Sequence, residues 1–196
     1  MDKATQIAEV ISFFRNAFSL VLALALAEAL KQFVRDRAPA DTNVIEWDKL
    51  ITLISFLLLI FPFYQGTIRY FSYTYGHTLP QHYSISLMID SGAFICEAAL
   101  FFIMSRCLSP LHWKTYYGSV IALLWIDSVW GLVVAKLHQT PIEAWIYLNL
   151  CFGAVVGIML FSHLRLKDHW ATTIGFVAVL LRTGLDYYLN WNFYFP

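Results

Sequence analysis

The chain has 196 residues, of which 59% are hydrophobic, 17% aromatic and 13% charged. A soluble domain carries about 25% charged residues, so this composition argues against a water-exposed globule. Formal net charge is zero, so no basic field points to nucleic acid.

The apolar residues fall in six runs, each near the roughly 20 residues needed to cross hydrocarbon. They predict an all-α polytopic membrane protein: a single domain, residues 1–196, built as a bundle of six transmembrane helices with short loops. The lipid bilayer is its first expected partner.

Span one, about 11–30, carries Arg15 and Glu28 and a smooth stripe of Ala23, Ala25, Ala27 and Ala29. Lys3 is the only base before it and no cleavage motif follows, so this helix is expected to remain in the mature protein. The 31–49 loop mixes charges (Lys31, Arg35, Asp36, Arg37, Asp41, Glu46, Asp48, Lys49) and suits either a docking surface or a solvated connection. Span two, about 50–70, contains Pro62 followed by Gln65 and Gly66. The proline frees a carbonyl one turn earlier, and a kink is expected there. Arg69 stands at the rim of this span.

Span three, about 85–105, places Asp90 and Glu97 seven residues apart, which returns to nearly the same helix face. Ser86, Gly92 and Ala93 lie on or beside that face. Span four, about 116–137, carries Asp127 within Ile-Asp-Ser, a triplet that also occurs at 89–91. Span five, about 144–163, holds Gly153 and Gly157 in a small-xxx-small spacing that suits close helix packing within the chain or between copies. Span six, about 170–190, sets Arg182 four residues before Asp186, on one face. The aromatic end after it, Trp191 to Pro196, is expected to dock at the membrane surface.

Basic residues flanking the spans set orientation. Lys31, Arg35, Arg37, Lys49, Arg106, Lys114, Arg165 and Lys167 follow spans one, three and five, against Lys3, Arg69 and Lys136 on the other side. Those three loops are therefore expected in the cytoplasm, with both termini outside. Trp47, Trp113, Trp145, Trp170, Trp191, Tyr73, Tyr75, Tyr116 and Tyr117 fall at span ends and read as an aromatic belt, with Trp125 and Trp130 deeper as packing residues. Cys96, Cys107 and Cys151 lack C-x-x-C spacing and read as buried free thiols.

The charges inside the spans are the functional lead. Each costs roughly 2.5–3.5 kcal/mol near the bilayer centre on insertion scales. Pairing is the cheap remedy: Arg69 is at the height of Asp90, and Arg182 can pair with Asp186. Glu28 and Glu97 have no evident basic partner. The six histidines sit at span ends or in loops, so no haem, metal or other cofactor is expected, and no hydrolase motif is present.

The leading expectation is a small transport or channel-like protein. Its charged cavity, for an ion, proton or small polar solute, would be lined by Arg69, Asp90, Glu97, Asp127, Arg182 and Asp186. A homo-oligomer fits so small a chain. The alternative is a membrane-embedded sensor or effector subunit that docks a cytosolic partner through the 31–49 loop. An enzyme is the less favoured reading.

Overall fold

The computed structural model describes residues 3–35, 46–75, 83–138, 143–161 and 168–195. Among these residues are seven helices, α1 (Lys3–Arg35), α2 (Trp47–Tyr75), α3 (Tyr83–Arg106), α4 (Trp113–His138), α5 (Glu143–Phe161), α6 (Asp168–Leu189) and the short α7 (Trp191–Tyr194). The first five are long and apolar enough to cross a membrane. The sixth is not among them, because His169, Thr172, Thr173, Arg182, Thr183 and Asp186 dilute its apolar run. Most of the 31–49 loop, residues 36–45, lies outside the described residues, as do residues 76–82, 139–142 and 162–167.

With 33 residues, α1 is about 50 Å long at 1.5 Å per residue, well beyond the roughly 30 Å of hydrocarbon. Hydropathy marks only the part of a helix that lipid would cover; backbone hydrogen bonding continues past it. The expected spans are therefore shorter than α1 and α2.

The helices close a ring in the order α1, α3, α4, α5, α6, α2 and back to α1. Within it α2 is the most enclosed, while α1 packs mainly on α3 and leaves most of its surface outward. Phe101 of α3 stands edge-on to Phe56 and Phe63 of α2, with ring centroids 5.9 and 5.6 Å apart. Where lipid supplies no hydrophobic drive, such close packing and hydrogen bonds between helices hold the bundle together.

Small residues set several of these contacts. Gly153 and Gly157 face Leu124, Trp125 and Ile121 of α4, so this motif serves packing within the chain. Gly175 of α6 leaves the room that the Tyr117 ring fills: a Cβ there would lie 2.2 Å from the ring. The Tyr117 hydroxyl then donates to the Thr172 carbonyl at 3.0 Å. This corrects part of the expected aromatic belt. Trp47, Tyr73, Trp170 and Trp191 are exposed, but Tyr75, Tyr116, Tyr117 and Trp145 are buried, each drawn inward by a packing or hydroxyl partner. Trp125, expected to be deep in the packing, is half exposed. Only Cys107 is a buried thiol, since Cys96 and Cys151 face outward.

Pro62 lies inside α2, which continues through it. Its ring removes the N–H that would bond to Leu58, four residues back. The freed Leu58 carbonyl accepts instead from the Thr183 hydroxyl of α6 at 2.9 Å. A defect in one helix thus becomes a clamp to another. Thr183→Val should cost about 1 kcal/mol in an SDS unfolding titration. In a Pro62→Ala background, which restores the helical donor, the same change should cost less than half as much.

Candidate buried polar site

Arg182 is the centre of the charged interior. It is 1% exposed, and its Nη1 meets Asp186 Oδ2 at 2.8 Å one turn later on α6. Its Nε and Nη2 both donate to Asn149 Oδ1 of α5, at 3.1 and 2.8 Å. The guanidinium face lies 5.1 Å from the Phe63 ring centroid of α2, a cation–π contact. On its other side, the Asn149 amide donates to Asp127 Oδ2 of α4. One asparagine therefore bridges a guanidinium and a carboxylate, its oxygen serving one and its nitrogen the other.

The C-terminal segment completes the network. The Tyr194 hydroxyl donates to Asp186 Oδ2 at 3.1 Å, and Asn190 Nδ2 donates to Asp186 Oδ1 at 3.0 Å. Tyr194 is fully buried, and its carbonyl accepts from Gln65 Nε2 at 3.2 Å and Arg69 Nη2 at 3.1 Å. Burial first, and then the Asp186 carboxylate beside it, hold the Tyr194 phenol well above its ordinary range, so it stays a donor. The last aromatic residues therefore go further than docking at a surface: Tyr194 plugs into the bundle, against Trp145. Gly66 permits that approach, since a Cβ there would sit 2.8 Å from the Trp145 ring.

Asp90 occupies a separate nest. It is 1% exposed and accepts from the Tyr70 hydroxyl at 2.9 Å, the Tyr75 hydroxyl at 2.6 Å and Trp130 Nε1 at 2.8 Å. The expected pairing of Arg69 with Asp90 is therefore not formed. Arg69 reaches the Tyr194 carbonyl instead, while Asp90 accepts from neutral donors of α2 and α4. Helix height was a sound guide to proximity but not to the direction in which each side chain points.

Glu97 is fully buried, and neither of its oxygens has a donor. Its carboxyl lies within hydrogen-bonding reach of the Asp127 carboxyl. The two line a narrow crevice with Phe63, Phe94, Trp130 and Trp145, and the Trp145 N–H is also without an acceptor. The crevice has no room for a water molecule. A roomier groove of about 340 Å³ between α3 and α4 is lined by apolar side chains such as Ile89, Ala93 and Trp125.

Five of the six expected cavity residues, Arg69, Glu97, Asp127, Arg182 and Asp186, thus meet in one connected group, with Asp90 beside it in its own nest. Arg15, half-buried on α1, joins neither. Glu28, expected to lack a basic partner, has one: Lys31 Nζ lies 3.3 Å away, and Gln32 Nε2 donates at 2.6 Å. Of the charges in the proposed docking loop, Lys31 is engaged with Glu28, Lys49 with Glu46 at 2.8 Å, and Asp48 with His169 at 2.7 Å.

Asn149 and Tyr194 were not anticipated as functional residues. A lone asparagine within the apolar Trp145–Val156 stretch was the available signal for the first. Nothing local marks Tyr194, whose role depends on the chain folding back. Asn149→Leu should destabilise the bundle by about 3 kcal/mol in an SDS unfolding titration, because it strands both Arg182 and Asp127. Tyr194→Phe, which removes one hydroxyl from Asp186, should cost about 1–2 kcal/mol in the same measurement.

No family model, curated protein or solved structure matches the chain, so its function rests on the geometry of this site.

Proposed function

We propose that the protein is a six-span membrane transporter or channel-like protein that handles an ion, a proton or a small polar solute through the Asp127–Asn149–Arg182–Asp186 network. The reading counts α6 as the sixth crossing. Its 22 residues extend about 33 Å, enough for hydrocarbon. Its charged pair faces inward, while Ile174, Val177, Leu180, Leu181 and Leu185 face outward, as lipid requires. By the distribution of basic residues, the Tyr194 end of the network lies on the outer side.

The observation that carries the proposal is a continuous hydrogen-bonded chain of polar groups, buried from Asp127 in mid-helix to Tyr194 and ending at the partly exposed Arg69. Stability alone gives weak cause to keep it. A buried ion pair rarely outperforms apolar packing of the same volume, whereas intramembrane charges in a bundle commonly mark ion and proton pathways. Asp127, Asn149, Arg182 and Asp186 are buried and only the Arg69 end is partly exposed, so access to the middle of the chain requires the helices or the C-terminal segment to part. That is the behaviour expected of a gated site.

The test is flux in proteoliposomes loaded with a dye selective for protons, sodium or potassium, each ion driven by its own imposed gradient. Wild-type protein should dissipate an imposed proton, sodium or potassium gradient faster than empty liposomes. Arg182→Gln and Asp186→Asn, if they fold, should slow it at least tenfold. Wild-type flux equal to that of empty liposomes for all three ions would overturn the proton and ion readings, and variants as fast as wild type would overturn the role of the network.

A further inference from the structure

We infer that Glu97 and Asp127 form a proton-binding site that holds one proton between their two carboxyl groups. The inference deepens the transport reading by naming the proton as the ion, and it rests on that reading only for its role in flux.

Two carboxylates within hydrogen-bonding reach are both acceptors, so they repel and neither can satisfy the other. Glu97 has no donor on either oxygen and no exposure to water. A proton resolves both problems, because a protonated carboxyl donates one hydrogen bond to its neighbour. Asp127 already accepts from the Asn149 amide, which suits the ionised partner. The proton therefore belongs on Glu97, donating to Asp127. A metal cation fits less well. Hard cations take about six oxygen ligands. Beyond the two carboxyls, the crevice offers Thr67 and a Tyr70 hydroxyl already committed to Asp90, against walls of Phe63, Phe94, Trp130 and Trp145.

The surrounding charge supports the same count. Arg182 and Asp186 of α6 are the charged groups nearest the pair from outside α3 and α4, and Arg69 closes the network at the rim. Tyr70 of α2 and Cys96 of α3 are the neighbouring titratable groups, and α5 presents only neutral Asn149 and Trp145. With one shared proton, the guanidiniums of Arg69 and Arg182 balance Asp186 and the pair. Without it, the group carries one uncompensated negative charge.

Infrared spectroscopy of the protein in liposomes at neutral pH tests this without any flux. A protonated-carboxyl C=O band that shifts in D₂O should be present, should move when glutamate is carboxyl-labelled with ¹³C, and should vanish in Glu97→Gln. Asp127→Asn should keep the band and change its frequency. The glutamate label makes the test independent of whether either variant folds. Absence of the band in wild type, a band indifferent to glutamate labelling, or one unchanged in Glu97→Gln would overturn the site. So would a missing band together with a melting temperature raised by sodium chloride but not by choline chloride, which would assign the crevice to a metal cation.

Discussion

The arrangement of the bundle depends on the need to keep the Arg182 guanidinium satisfied in a place without water. Moving a bare ion from water to a low-dielectric interior carries an idealised cost of order 20 kcal/mol, so every donor direction of this fork must find an acceptor. Asp186 takes one direction and Asn149 the other two contacts, with Phe63 beneath the plane. Those partners set the rotation of α6 and draw α5 and α2 to it. Asp186 in turn has lone pairs left over, to which Asn190 donates one turn later and Tyr194 donates after the chain folds back.

Among the described residues, the buried aspartates solve the same problem in three ways. Asp186 is paired with a cation. Asp90 accepts from neutral donors, among them two phenols and an indole. Asp127 is held by one amide and faced by a second carboxyl. The first two are closed arrangements with good geometry. The third is left short of donors by Glu97, and an incompletely satisfied group in a low dielectric is where a bound proton has the most to contribute. Tyr70 and Trp130 stand between the Asp90 nest and the crevice, touching both, so the two carboxyl environments share walls.

Packing supports this polar interior through specific omissions. Gly66 makes way for Trp145 and Gly175 for Tyr117. Pro62 withholds an N–H so that Thr183 can be bound from another helix. Each removes something from one helix so that a neighbour can come closer or bond across, which is how membrane helices gain affinity without help from water.

The sequence by itself determined the helices, the apolar lengths that suit a bilayer, and which residues would be costly to bury. It also determined the Arg182–Asp186 pair, because a spacing of four is a local property of any helix. The likeness in height of Arg69 and Asp90 was legible too, but their pairing was wrong, because the azimuth of a side chain depends on how whole helices pack. Only the tertiary structure decided that Asn149 bridges two charges, that Tyr194 returns to cap Asp186, and that Glu97 meets Asp127. The contacts of Asn149 with Asp127 and Arg182 join residues 22 and 33 positions apart, and these, like Glu97 and Asp127, lie on different helices. Periodicity within one helix carries no information about them. A buried polar atom must be satisfied somewhere, but only the packed bundle determines by what.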